Sequence, residues 1–316
     1  MKKSNCFCYR ILPIALCAAM LGGCGASAAS SSAMESGVFT DSAPLKVMVS
    51  FYQMYDSSMP DSITEMLSGP MKLVMSLMGG SGKPKAGCEI KTQYCTAIPI
   101  GTALAQSFDL AFVEQCGDIV GEEMERFGVH LWLAPALNIH HSIRCGRNFE
   151  YFSEDPLLAG KCCAAEVRGI QSNKIAVSIK HFACNNRESN RFECDSRVSE
   201  RALREIYLRG FEICVREADP WTVMSSYNLI NGNHTSTSYE LLTEMLRGEW
   251  GFKGMVTTDW GVHSAHSDEI KAGNDLKMGD GDPAELRATY ESGKLTRADL
   301  EKSVRRVLEL ALKMAD

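Results

Sequence analysis

The chain has 316 residues, 45% of them hydrophobic and 23% charged, with a formal net charge of -6. These are ordinary values for a globular protein with a sizeable core, and the length suits one large α/β barrel or at most two modest domains. No basic block interleaves with aromatic residues, which excludes nucleic acid as an expected partner.

The first element is a targeting segment. Lys2, Lys3 and Arg10 form a basic region, and Ile11 to Leu21 form an apolar core too short to span a bilayer as a mature helix. Leu21-Gly22-Gly23-Cys24 follows and resembles the bacterial lipobox. Residues 1–23 therefore read as a signal peptide. Cys24 reads as a lipidated N-terminus and residues 24–43 as a flexible tether, giving an exported chain anchored to the cell envelope. Of the 13 cysteines, three leave with the leader and one carries lipid. The rest, from Cys88 to Cys214, form no C-x-x-C pair and have no histidine at zinc spacing, so they read as small buried residues, with no metal and no cofactor expected.

Residues 33–95 carry the least pattern. Leu45 to Phe51 suits a strand, and Met66 to Pro70 a strand end and turn. The glycines around Lys83 lack the spacing of a phosphate loop, and Pro84 stands where that loop needs Ser or Thr.

From Thr96 the pattern sharpens. A helix is expected over Phe108 to Phe127, with Asp109 as N-cap and Gly128 at its end. Val129 to Ala134 reads as a strand and Pro135 to Glu150 as a long loop. Asp155-Pro156 opens a helix running to about Gln171. Ile175 to Ile179 is a strand ending in Lys180-His181-Phe182, and Asn185 to Arg197 a polar loop. Ser199 to Glu217 is a helix, Thr222 to Ser225 a strand leading to Tyr227, and Tyr239 to Glu249 a helix. Met255 to Thr258 is a strand that runs into Asp259, Trp260 and Gly261. Ala272 to Met278 reads as another short strand, and Thr296 to Met314 as a final helix.

Strands alternating with helices imply parallel βαβ units, and residues just past the C-terminal ends of barrel strands face the active site. Arg147, Lys180 with His181, Tyr227, Asp259 with Trp260, and Asp275 occupy such places. Singly each has a plainer reading. Arg147 could brace Glu150, His181 and Tyr227 could belong to the core, and Asp259 could cap a turn. Together on one rim they suit chemistry on a sugar: a carboxylate to attack the anomeric carbon, an indole to stack on a sugar face and cations to bind hydroxyls.

The same residues carry a resemblance. Cys145 to Pro156 (CGRNFEYFSEDP), Lys180 to Asn186 (KHFACNN), Val198 to Tyr207 (VSERALREIY), Met224 to Asn228 (MSSYN), Thr258 to Trp260 and Ala272 to Asp275 (AGND) resemble the N-terminal barrel domain of glycoside hydrolase family 3, the β-glucosidase and β-xylosidase family. The resemblance implies a (β/α)8-type TIM barrel over residues 44–316, irregular at its first strands, and a retaining β-glucosidase-like activity on terminal β-linked glucose or a related sugar. Asp259 would be the nucleophile; Arg147, Lys180 and His181 would bind hydroxyls; Tyr227 would sit beside the nucleophile; Met224 and Trp260 would line the pocket. The cations would keep the Asp259 pKa low. Lys180 and His181 are neighbours in a strand, so for both to reach one sugar the backbone must depart from regular geometry there.

Three departures from the family stand out. The chain stops at Asp316, where family β-glucosidases continue into a second α/β domain that supplies the acid/base. Retaining hydrolysis needs two carboxyl groups about 5–5.5 Å apart, so a separate domain or partner protein is expected to bring the second. The β-N-acetylhexosaminidase branch uses an Asp–His pair in the loop corresponding to Asn185 to Arg197, which here lacks histidine. Ser68 stands where the family has a sugar-binding Asp, and Asn138 to Arg144 differs from the usual pattern from His141 on. A catalytically impaired sugar-binding protein at the cell surface is thus the alternative.

Overall fold

The computed structural model describes residues 45–50, 90–279 and 281–315, with the side chains of 45–50 and 90–94 left aside. Cys24 and Ser68-Gly69-Pro70 lie outside the described residues. The chain divides into two units, Met1–Ala97 and Ile98–Asp316.

In the first unit, β1 (Leu45–Ser50) pairs antiparallel with β2 (Ile90–Cys95), from Leu45 opposite Cys95 to Ser50 opposite Ile90.

The second unit is built of parallel α/β repeats. It begins with α1 (Gly101–Gln106) and α2 (Leu110–Phe127). The Asp109 side chain caps α2 by accepting from the Ala111 and Phe112 amides, and Gly128 closes it in the left-handed conformation at φ 67°. β3 (Leu131–Trp132) follows, then α3 (Pro156–Gln171), capped by Asp155 with Pro156 in the first turn. β4 (Ala176–Phe182) comes next, then the short β5 (Asp195–Ser196). The expected helix from Ser199 is present in three pieces: α4 (Glu200–Ala202), a π-helical turn (Leu203–Tyr207) and α5 (Arg209–Ala218). β6 (Thr222–Ser225), the hairpin strands β7 (Leu229–Ile230) and β8 (Asn233–His234), and the π-helical segment Glu240–Glu249 lead to β9 (Met255–Thr257). Three helices end the unit: α6 (His266–Ala272), α7 (Pro283–Glu291) and α8 (Arg297–Lys313), the last opened by a capping box between Thr296 and Asp299.

β3, β4, β6 and β9 form a four-stranded parallel sheet in that order. Isolated bridges extend the ladder, Ala136 with Lys180 and Thr257 with Leu276. The stretch Ala272 to Met278 is therefore corrected: it contributes one bridge at Leu276, while Ala272 ends α6 and Gly273 caps it. Val129 to Ala134 likewise forms only the two-residue β3. Every residue of β4 is buried, the polar Ser178, Lys180 and His181 included, so the strand shows no alternation of apolar and exposed polar positions. Val177, Ile179, Val223 and Val256 form the sheet's buried core, each worth about 1.5–3 kcal/mol of burial.

The helical layer is set by close backbone contact. A Cβ at Gly169 of α3 would strike the carbonyl of Glu114 in α2, and one at Gly117 would strike the carbonyl of Glu166. Only glycine lets the two helices approach this closely. Cys116, Cys162, Cys163 and Cys214 fill the same layer as buried free thiols. Among the described residues no helix is long and apolar enough to cross a membrane.

Candidate active site

The C-terminal ends of β4, β6 and β9 bring Lys180 with His181, Met224 and, two residues past β9, Asp259 to one rim of the sheet. Asp259 is 8% exposed. Its Oδ1 accepts from the Trp260 amide at 2.7 Å, while Oδ2 has no hydrogen-bond partner and lies 3.7 Å from His181 Nε2. That separation is too long for a hydrogen bond and leaves the oxygen available.

At Lys180–His181 the expected departure from regular strand geometry is present. The peptide bond is cis, and the ladder to β6 shifts register between Ile179 and Phe182. The Asn138 side chain clamps this point, donating to the His181 carbonyl at 2.9 Å and accepting from the His181 amide at 2.8 Å. His181 is buried and its pKa is pushed well down, by burial first and then by Arg147, Lys180 and Arg191, so the ring is neutral. Burial also lowers the pKa of Lys180, against the pull of Glu150 and Asp259.

Arg147 comes from the long loop after β3. The loop's backbone is held from two sides: Thr102 Oγ1 donates to the Asn148 and Tyr151 carbonyls at 2.9 Å each, and His140 Nε2 reaches the same two oxygens at 2.9 and 3.1 Å. Arg147 donates to Glu150 while its charge also acts on Asp259. The loop brace to Glu150 is therefore present, and the guanidinium is near enough to Asp259 to act on its charge. His141, where the sequence departs from the usual pattern, is exposed and its ring lies 6.2 Å from that of Tyr207.

Tyr227 is buried beside Asp259, and its hydroxyl donates to the Trp260 carbonyl at 2.5 Å. Trp260 is 41% exposed, and a Cβ added at Gly279 would meet its ring nitrogen at 3.4 Å. Met224 is buried in β6 opposite Thr257, in the strand next to the one that carries Asp259.

The expected low pKa of Asp259 is corrected. Burial raises it, and this outweighs the Trp260 amide, Lys180, Arg147 and Tyr227, which all pull it down. Counting cations in a sequence omits the desolvation that comes with enclosing the carboxylate.

Asp275 is not part of the site. Its carboxylate accepts from the Val256 amide at 2.8 Å and pairs with Arg247 at 2.7 Å and Arg306 at 2.9 Å, tying β9 to two helical segments. A neighbouring buried pair, Lys277 with Glu269 at 2.7 Å, grips Ser264 in the loop after Trp260. Among the described residues no group of three or more His, Cys, Asp or Glu side chains is placed to hold a metal ion.

Sequence reasoning missed Asn138, Arg191 and Phe192. The Arg191 guanidinium lies 4.6 Å over the Tyr227 ring, and Phe192 stacks on His263 at 4.9 Å. Nothing periodic marks them: Asn138 acts from the loop after β3 on the His181 backbone, and Arg191 and Phe192 depend on how the loop after β4 folds back.

A parallel α/β sheet thus carries a buried carboxylate and a lysine at the C-terminal ends of its strands, with Arg147 acting on them from a loop, the arrangement of an α/β barrel domain. The family model described as the glycosyl hydrolase family 3 N terminal domain matches residues 82–310. The chain is 52% identical over 207 residues to β-glucosidase A of Butyrivibrio fibrisolvens, covering 66% of this chain and 25% of that one. It is 42% identical to thermostable β-glucosidase B of Acetivibrio thermocellus, covering 68% of this chain and 29% of that one. Among solved structures, β-glucosidase 3B from Thermotoga neapolitana in complex with glucose superposes with a TM-score of 0.69 at 41% identity, over 73% of this chain and 33% of that one. The chain belongs to glycosyl hydrolase family 3, and its α/β fold is that of the family's N-terminal TIM barrel. It spans about a quarter to a third of the length of these relatives.

Proposed function

We propose that the chain carries the nucleophile and the sugar-binding face of a retaining β-glucosidase-type hydrolase acting on terminal β-linked glucose or a related sugar. The observation that supports this best is the Asp259 carboxylate: one oxygen is fixed by the Trp260 amide, and the other is buried, unpartnered and flanked by His181. The free oxygen attacks the anomeric carbon as the bond to the leaving oxygen breaks and that oxygen takes a proton. Water then attacks the glycosyl-enzyme and restores the carboxylate. Lys180, Arg147 and His181 donate to sugar hydroxyls, Tyr227 holds the nucleophile's surroundings, and Trp260 and Met224 line the pocket.

The acid/base comes from another domain or polypeptide. This is supported by the two glutamates near the site, which are already engaged: Glu150 with Arg147, and Glu188 with Arg191 and Asn185. A leaving group that needs no protonation separates the roles. The purified chain is expected to release dinitrophenol from 2,4-dinitrophenyl β-glucoside and to leave alkyl β-glucosides intact. Equal inertness toward both, from folded protein, contradicts the reading and favours a sugar-binding protein.

Export and anchoring rest on the leader and Cys24. Labelled palmitate is expected to enter the chain, and Cys24→Ala to abolish labelling and free the protein from membranes. An unlabelled wild type rules out the lipid anchor.

A further inference from the structure

Arg191 belongs to the loop after β4 and touches both sides of the site. Its guanidinium lies 4.6 Å over the Tyr227 ring, and Tyr227 in turn donates to the Trp260 carbonyl. Its Nη1 also donates to Glu188 Oε2 at 3.3 Å. From there a chain of polar contacts runs back into the core. Asn185 Nδ2 donates to Glu188 Oε1 at 3.1 Å and to the Tyr151 hydroxyl at 3.2 Å, and that hydroxyl lies 3.3 Å from His181 Nδ1. His181 Nε2 faces the free oxygen of Asp259. Phe192, the next residue, packs its ring 4.5 Å from Tyr227 and 4.9 Å from His263, joining this loop to the one after Trp260.

We propose that Arg191 is a positioning residue for glycosylation of Asp259. It sets Tyr227 by stacking and His181 through the Glu188–Asn185–Tyr151 chain, so that both flanking groups are in place when the carboxylate attacks. This rests on the function proposed above. The side chain suits the task because a planar guanidinium can stack on an aromatic face and pair with a carboxylate at once, which an ammonium cannot do as well. As an ion pair alone it would matter little. Arg191 and Glu188 keep 36% and 21% of their side chains exposed, and pairs so open to water contribute little to stability. A large effect on rate with a small effect on folding is therefore the signature.

The test follows inactivation of the full chain by 2,4-dinitrophenyl 2-deoxy-2-fluoro-β-glucoside. Arg191→Gln is expected to lower the limiting rate constant about 10- to 100-fold, the scale of a small misplacement of reacting groups. The half-saturating reagent concentration should stay within about threefold. Glu188→Gln should behave alike, and Arg191→Lys should recover part of the rate. An unchanged rate constant in folded Arg191→Gln overturns the proposal.

A wild type that does not react at all counts against the proposed activity. In that case the ring-nitrogen NMR resonances of His181 in the unliganded chain, identified by their loss in His181→Gln, decide the matter. They must move in Arg191→Gln and Glu188→Gln, and unmoved resonances overturn the positioning role.

Discussion

Asp259→Asn is expected to cut glycosyl transfer from an activated aryl glucoside by roughly 10⁴-fold, the scale of losing a nucleophile, and at the same time to make the protein more stable at neutral pH. The first effect follows from the free oxygen that asparagine lacks. The second follows from burial, which raises the carboxyl's pKa above the 3.8 of an unperturbed aspartate. A group raised in this way favours the fold below its unfolded pKa, and that stability is lost as pH rises through the folded pKa. An amide is free of this penalty, so the gain in melting temperature should be present at pH 7 and vanish under acid conditions. The same shift places the acid limb of kcat/KM above 3.8, because only the ionised carboxylate attacks. Calorimetry across pH on both proteins checks the stability claim; a variant no more stable than wild type at pH 7 contradicts it.

The second large effect lies away from the site. Glu166 is buried in α3 among Cys116, Cys162 and Cys163, and burial raises its pKa from 4.5 to about 7. Stability from the protonated form is complete below pH 4.5 and is lost as pH climbs to 7, to a total of about 3 kcal/mol. Glu166→Gln should remove that part of the slope, leaving the variant less sensitive to pH over this window and more stable than wild type above it. Asp259 keeps a slope of the same sign, so the curve flattens without becoming level. Urea midpoints taken across the window test this, and an undiminished slope in the variant refutes it.

Local chemistry explains what the sequence made legible. Asp109, Asp155 with Pro156, Ser199 and Thr296 are capping signals that act over three or four residues, and each helix begins where its cap says. The sheet strands β4, β6 and β9 are β-branched runs that end on polar residues, so the rim bearing Lys180, His181 and Asp259 could be read directly. What failed depended on tertiary context. Ala272 to Met278 holds Gly273, Asn274 and Asp275, which strands avoid; Gly273 ends a helix there and Asp275 is drawn into a buried pair with Arg247 and Arg306. Arg191 and Phe192 sit in a polar loop with no period, and only its folding over Tyr227 gives them a place in the site. The sign of the Asp259 shift failed for a related reason: neighbouring charges can be counted in a sequence, whereas the cost of enclosing them cannot.

The central claim is that Asp259 forms a glycosyl-enzyme. Intact-protein mass spectrometry of the purified chain, after saturation with 2,4-dinitrophenyl 2-deoxy-2-fluoro-β-glucoside, tests it most directly. The account predicts a single fluoroglucosyl adduct that maps to Asp259 and is absent from Asp259→Asn. Folded protein that stays unmodified, or an adduct that maps elsewhere, would contradict it.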